Sequence, residues 1–233
     1  MALLRFDNVS KSYPGGQAAL SEMNFSVAEG EMLFVTGHSG AGKSTLLKLI
    51  HLSERPSRGT ILVDERNLAT VRGRQVALHR RKVGVVHQDH RLLLDRSVFD
   101  NVALPLLIAG LPSTEIGKRV RVMLDKVGLG TRERSRPRDL STGEQQRVGI
   151  ARAMVSQPRI LLADEPTGNL DAANGAIVID TMTALNAEYG TTLVLVTHDL
   201  DLAGLARRTI RLADGNIISD SRRVHRHLQP PTR

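Results

Sequence analysis

A glycine-rich segment near residue 40 has the pattern that binds phosphate groups. Residues 37–44 fit G-x-x-x-x-G-K-[ST] and stand between a predicted strand and a predicted helix. Glycines let backbone N–H groups approach phosphate oxygens, and the N-terminus of the following helix adds positive potential. Lys43 would reach the β- and γ-phosphates, and Ser44 would ligate Mg²⁺. The residues expected to contact a nucleotide here are Gly37, His38, Ser39, Gly40, Ala41, Gly42, Lys43, Ser44 and Thr45.

Two adjacent acids, Asp164 and Glu165, follow the apolar run 160–163. An acid at the end of a strand can hold Mg²⁺ through its water shell, and a neighbouring acid can orient an attacking water. Asp164 is therefore the predicted metal residue and Glu165 the predicted general base. An isolated Asp-Glu pair is more often a turn or a helix cap, so this interpretation depends on the phosphate-binding pattern at 37–44.

The elements that must position these residues are read from the spacing of apolar side chains. Alternating apolar residues predict a strand at 20–27, and short apolar runs predict strands at 32–36, 83–86, 160–163 and 192–196. Apolar residues at helical spacing predict helices around 46–50, 97–108, 115–127, 144–155 and 172–189. Strands that alternate with helices predict a parallel sheet. No strand is predicted between residues 91 and 157, so this part is expected to be a helical insertion.

The composition is that of an ordinary globular protein, with 233 residues of which 41% are hydrophobic and 24% charged. Cysteine is absent, which excludes disulfides and thiolate-bound metals. The longest apolar run, 102–109, is far shorter than the ~20 residues of a membrane span, and the first ten residues lack the apolar region of a signal peptide. We therefore expect a soluble, cytoplasmic protein.

The net charge of +8 is unevenly distributed along the chain. It is concentrated in residues 72–96, 118–138 and 221–233, which leaves the remainder acidic. A basic surplus of this kind favours nucleic acid, a membrane surface or an acidic ligand as a partner.

The segment Leu140-Ser141-Thr142-Gly143-Glu144-Gln145-Gln146 resembles the LSGGQ-type signature of ABC ATPases. Ser141 and Glu144 also have the spacing of a capping box at a helix start, and both interpretations can hold together. Further motifs of that family stand in its order: Tyr13 for the adenine-stacking aromatic, Gln88 for the Q-loop, 169–171 for the D-loop and His198 for the switch histidine. Each motif is weak alone, but together they identify the chain as a member of the ABC ATPases.

The resemblance implies an ATPase that uses ATP and Mg²⁺. The implied site residues are Glu165, His198 and Gln88 for catalysis, Ser44, Gln88 and Asp164 for the metal, and Tyr13, Ser141, Gly143 and Asp171, with the loop 37–45, for the nucleotide. In this family Ser141 would face the γ-phosphate of nucleotide bound to the opposite subunit, a use of a helix N-terminus that suits an anion.

The fold implied is that of a P-loop NTPase of the RecA-like α/β class. It has a parallel-sheet core, an N-terminal antiparallel β subdomain and an inserted α-helical subdomain. The expected boundaries are 1–90 and 158–220 for the core with its β subdomain, 91–157 for the helical subdomain, and 221–233 for a basic tail.

Within the family, residues 36–50 and 87–110 are most similar to its bacterial cell-division branch. That similarity implies a homodimer, formed on ATP binding, that docks on an integral membrane subunit at the cytoplasmic side of the plasma membrane and regulates cell-wall hydrolysis through it. An exporter or lipoprotein-release ATPase shares these catalytic residues and stays open as an alternative. A nucleic-acid-linked ABC protein is disfavoured because the chain has one cassette, no long coiled coil and few aromatics.

The segment 92–107 is the predicted docking surface for the membrane subunit. Leu92, Leu93, Leu94, Val98 and Phe99 could meet a helix of the partner, or they could be core residues of the helical insertion. The basic blocks are expected to contact an anionic lipid surface beside this partner.

Thr142 departs from the family pattern, because it occupies the place of the first glycine of the signature. A β-branched residue cannot readily adopt a positive φ and adds bulk where the backbone should approach phosphate, so Thr142 would weaken closure of the site across the dimer, or turnover. Alternatively, Thr142 lies harmlessly in the first helical turn and its hydroxyl contributes a contact.

Overall fold

The chain folds into two β-sheets and a group of helices. The computed structural model describes residues 2–15, 18–199, 202 and 206–222. Its strands are β1 (Ala2–Ser12), β2 (Ala18–Ala28), β3 (Met32–Thr36), β4 (Arg58–Val63), β5 (Arg66–Asn67), β6 (Val83–Val86), β7 (Ile160–Asp164), β8 (Thr192–Thr197), β9 (Arg208–Ala213) and β10 (Asn216–Arg222). Its α-helices are α1 (Lys43–Ile50), α2 (Arg74–Arg81), α3 (Val98–Ala109), α4 (Ser113–Lys126), α5 (Thr142–Met154) and α6 (Ala172–Tyr189).

The central sheet has the order β10-β9-β3-β8-β7-β6. Neighbouring strands run parallel except β9 and β10, which are antiparallel. Its inner strands are buried on both faces: on β7, Ile160 and Leu162 belong to one hydrophobic core, and Leu161 and Ala163 belong to the other. This double burial explains why such strands are continuous apolar runs in the sequence. The predicted parallel sheet is confirmed.

The second sheet is antiparallel and has the order β2-β1-β4-β5. Phe6 of β1 stacks on Phe25 of β2 with ring centroids 4.6 Å apart. These rings join a core that also contains Leu46 and Leu49 of α1. The sheet and α1 therefore share one face of the central sheet, as the family fold implies.

Residues 91–157 contain α-helices and 3₁₀ turns but no strand. Helix α3 begins at a capping box, in which the Oγ of Ser97 accepts a hydrogen bond from the backbone N–H of Asp100 at 3.0 Å. Its residues Val98, Val102 and Leu106 are buried in the core that contains Leu161 and Ala163 of β7.

Two expectations need correction. The basic tail cannot begin at residue 221, because Ser221 and Arg222 pair with Thr209 and Arg208 in the last strand. The rest of the predicted tail, 223–233, lies outside the described residues. Val98 cannot be a docking residue, since it is fully buried at the first turn of α3.

None of the helices among the described residues is both long and apolar enough to span a membrane.

Candidate active site

The loop 37–44 joins β3 to α1 and is packed tightly against neighbouring strands. Gly37 and Gly42 have φ values of 154° and 103°. A Cβ at Gly37 would lie 2.4 Å from the carbonyl oxygen of Leu212, and one at Gly42 would lie 2.4 Å from that of Ala19. Neither contact leaves room for a side chain, so the shape of the loop requires glycine at both positions.

The ammonium group of Lys43 lies inside this loop. Its Nζ donates hydrogen bonds to the carbonyl oxygens of Gly37 at 2.7 Å and His38 at 3.1 Å. The side chain is only 8% exposed, and the Oε1 of Glu165 lies 3.7 Å from the same Nζ. A buried cation at a helix N-terminus makes the loop a strong anion site.

Ser44 and Asp164 bring two oxygen donors together beside the loop. The Oγ of Ser44 donates a hydrogen bond to the Oδ1 of Asp164 at 3.1 Å. Burial raises the pKa of Asp164, its bond from Ser44 partly offsets the rise, and the adjacent Glu165 carboxylate adds to it. Hydroxyl and carboxylate oxygens are the ligands that Mg²⁺ prefers, and a bound cation would favour the ionised carboxylate. The donor set therefore fits Mg²⁺.

Glu165 is turned toward the loop by an unfavourable backbone conformation. Its φ is 48°, in the left-handed region that costs a non-glycine residue about 1–3 kcal/mol. The backbone N–H of Glu165 donates to the carbonyl oxygen of Val196, and its Oε2 lies 2.7 Å from the Nδ1 of His198. This places the carboxylate between the Lys43 ammonium and the His198 ring.

Gln88 follows β6 and is paired with Asn169. Its Nε2 lies 3.4 Å from the Oδ1 of Asn169, and the Nδ2 of Asn169 lies 3.3 Å from the carbonyl oxygen of Gln88. The Q-loop position is thus joined to the D-loop position within one chain.

Lys43, Ser44, Gln88, Glu165 and His198 line a single cavity of about 600 Å³, whereas Gly37, His38 and Asp164 are not among its lining residues. Its lining residues are Ala19, Ser39, Gly40, Gly42, Lys43, Ser44, Thr45, Gln88, Glu165 and His198. Tyr13 lies beside it, with its hydroxyl 3.5 Å from the Oγ1 of Thr45. Ala41 is fully buried and does not line the cavity. The size suits a bound small molecule.

Ser141, Gly143 and Asp171 do not line this cavity and lie instead at helix N-termini. Ser141 caps α5 as the capping box predicts: its Oγ accepts from the N–H of Glu144 at 3.2 Å, and its own N–H donates to the Oε2 of Glu144 at 2.9 Å. Thr142 is the first residue of α5 and has no positive φ. The backbone strain that a positive φ would impose on Thr142 is therefore absent.

Asn174 belongs to none of the sequence motifs, yet it binds Asp171 and lies against Gly143, two of the predicted site residues. It donates through its backbone N–H to the Oδ1 of Asp171 at 2.8 Å and through Nδ2 to the Oδ2 at 2.9 Å. These bonds lower the pKa of Asp171. A Cβ at Gly143 would lie 2.6 Å from the Oδ1 of Asn174. The Asp-x-x-Asn spacing of a helix cap was the available signal.

The other predicted docking residues differ in exposure. The side chains of Leu93 and Leu94 are 43% and 56% exposed. Leu92 and Phe99 are half-buried against the core that contains Leu161 and Ala163 of β7. Nearby on α3, Leu107 and Ile108 are also exposed.

Comparison with known proteins gives consistent matches over most of the chain. The sequence model described as "ABC transporter" matches residues 20–168. The cell division ATP-binding protein FtsE of Escherichia coli K12 is 50% identical over 218 residues, which cover 92% of this chain and 97% of FtsE. The macrolide export ATP-binding/permease protein MacB 1/2 of Paracoccus denitrificans is 41% identical over 94% of this chain and 33% of that protein.

Among solved structures, the dimeric post-hydrolysis state of the ATP-binding cassette MJ0796 bound to ADP and Pi superimposes with a TM-score of 0.85. It is 34% identical in sequence, and the match covers 94% of this chain and 98% of that one.

Proposed function

The chain belongs to the ABC transporter family and is an ATP-binding, ATP-hydrolysing protein, and from this premise we propose that it serves bacterial cell division through a membrane subunit of the FtsX type. The observation that carries the catalytic part is the position of the Glu165 carboxylate, between the Lys43 ammonium and the His198 ring at the phosphate-binding loop. The 50% identity to FtsE supports the cellular role.

Each site residue has its own role in ATP hydrolysis. Lys43 and the N–H groups of the loop bind the β- and γ-phosphates, and His198 donates to the γ-phosphate. Glu165 accepts a proton from water as the water oxygen bonds to the γ-phosphorus and the bond to the ADP oxygen breaks. Mg²⁺ held by Ser44, Asp164 and Gln88 would neutralise phosphate charge.

Two copies of the chain are proposed to enclose two ATP molecules. Ser141 and Gly143 of each copy would complete the site of the other, with Asp171 close by. Support comes from the exposed start of α5 at Ser141 and Thr142, and from the dimeric ADP- and phosphate-bound cassette.

The helical part, residues 91–157, is proposed to transmit movement between this site and the membrane subunit. A groove of about 590 Å³ lies between α2 and α3, where Val76 and Ala77 face Leu104 and Ile108. Together with exposed Leu93 and Leu94, it offers an apolar surface to a helix of the partner.

The basic block near residue 134 is proposed to orient the complex on anionic lipid at the cytoplasmic side of the plasma membrane. Arg134, Arg136 and Arg138 are exposed, whereas Arg132 lies 3.5 Å from the signature residue Glu144. The test variant therefore replaces the first three and spares Arg132. We expect weaker binding to anionic vesicles and unchanged ATP hydrolysis in solution, and unchanged vesicle binding would contradict the proposal.

Two substitutions test the catalytic proposal, because one should abolish nucleotide binding and the other should abolish only turnover. Lys43→Ala should lose nucleotide binding, because it removes the buried cation. Glu165→Gln should bind ATP and remain a dimer with little turnover, because only proton acceptance is lost. ATP titration, size-exclusion chromatography and phosphate release measure the three properties. Wild-type turnover in both variants would refute the site.

The similarity to MacB favours a second candidate, an ATPase subunit of an exporter or lipoprotein-release complex. Affinity purification from membranes of the native host, followed by identification of the integral protein, separates the two. Recovery of an FtsX-type protein supports the first candidate, and recovery of an export permease supports the second.

A further inference from the structure

The backbone just after Gln88 is in the left-handed region at two successive residues. His90 has a φ of 56° and Arg91 a φ of 47°. Neither is glycine, so both conformations are unfavourable and persist only where surrounding contacts hold them.

Helix α5 supplies those contacts through Arg152. Its Nη2 donates to the carbonyl oxygen of His90 at 2.6 Å, and its Nη1 donates to that of Arg91 at 2.7 Å. One planar guanidinium thus holds two successive carbonyl groups with charge-assisted bonds. A lysine ammonium cannot reproduce this fixed pair of donors.

A second residue of α5 holds the same segment on the other side of Gln88. The side chain of Gln146 is fully buried, its Oε1 contacts the ring of His90, and its Nε2 lies 3.5 Å from the carbonyl oxygen of His87. The loop that carries Gln88 is therefore bound to α5 both before and after Gln88.

We propose that Arg152 is a positioning residue for Gln88: it holds segment 87–91 in its strained shape and thereby keeps the Gln88 side chain in the ATP cavity. The proposal rests on the role given to Gln88 in the proposed function. Arg152 also lines the groove between α2 and α3, so one residue contacts both the proposed docking surface and the segment after Gln88.

The first test measures the stability of segment 87–91 and does not depend on ATP hydrolysis. Amide hydrogen exchange is followed in nucleotide-free wild type, Arg152→Gln and Arg152→Lys, with Arg119→Gln as the control. Arg119 lies on α4, where it forms a partly exposed ion pair with Glu115 four residues earlier. We expect exchange in 88–92 to rise about 10-fold in both Arg152 variants and to stay unchanged in the control. Unchanged exchange in a folded Arg152 variant overturns the proposal.

The second test separates positioning from a general structural role. With ATP, Arg152→Lys should lower kcat about 10-fold and change KM less than twofold. In a Gln88→Ala background the same substitution should cause no further loss, because its effect acts through Gln88. Multiplicative losses in the double variant overturn the proposal. An inactive wild type would instead refute the proposed function, while the exchange result would still decide whether Arg152 holds the segment.

Discussion

Ser141 is proposed to do two things, and the structure allows them to be separated. Within one chain its hydroxyl caps α5 in a capping box with Glu144. In the dimer it would face the γ-phosphate of the other copy. Replacing an N-cap serine with alanine costs about 1 kcal/mol. For a chain of this size that lowers Tm by roughly 2–4 °C. Ser141→Ala should show this loss and also weaken ATP-dependent dimerisation.

Ser141→Asp distinguishes the cap from the phosphate contact. Aspartate is as good an N-cap as serine, so Tm should stay within about 2 °C of wild type. The added negative charge would meet the γ-phosphate when the dimer closes, and like charges in a closed site repel strongly. We therefore expect Ser141→Asp to remain folded and to lose the ATP-bound dimer.

Ser97 provides the matched control, because it forms the same capping box with Asp100 at the start of α3. Ser97→Ala should lose about 1 kcal/mol of stability and dimerise normally. Thermal unfolding and size-exclusion chromatography with ATP, each in the Glu165→Gln background, measure both properties. A normal dimer in Ser141→Asp, or a lost dimer in Ser97→Ala, would refute the reasoning.

Three further predictions concern single side chains. His198→Ala should bind ATP with near wild-type affinity and release phosphate at least about 10-fold more slowly, since of the three phosphate groups its ring would contact only the γ-phosphate. Burial and the nearby Arg80 guanidinium lower the pKa of His51 from 6.5 to about 4, so the unfolded chain takes up a proton first as pH falls below 6.5. Stability should fall by about 1 kcal/mol between pH 6.5 and about 5, after allowance for partial exposure, and His51→Gln should lessen that fall in urea titrations. Arg208 is buried with bonds to Asp220 and Glu31, so Arg208→Met should lower stability by about 2–3 kcal/mol in the same assay, because its partners can be only partly rehydrated.

The parts of the fold that could be predicted are those with a regular local pattern. The predicted strand at 32–36 and the helix at 172–189 have the bounds observed for β3 and α6. Strand β1 escaped detection because its pairing register shifts between Phe6 and Val9, and Asn8 between them has a φ of 49°. Such a bulge interrupts the alternation of apolar residues on which strand prediction depends.

The sequence by itself determined the chemistry of the phosphate-binding loop, the acidic strand end and the helix caps. These features depend on residues close in the chain, whose conformations follow from glycine, proximity and local hydrogen bonds. Only the tertiary structure decided that Val98 is buried while Leu94 is exposed, and that Arg152 holds the carbonyl groups after Gln88. The bonds of Arg152 join segments about sixty residues apart. The packing of α5 against the central sheet selects these partners, and no local sequence pattern does.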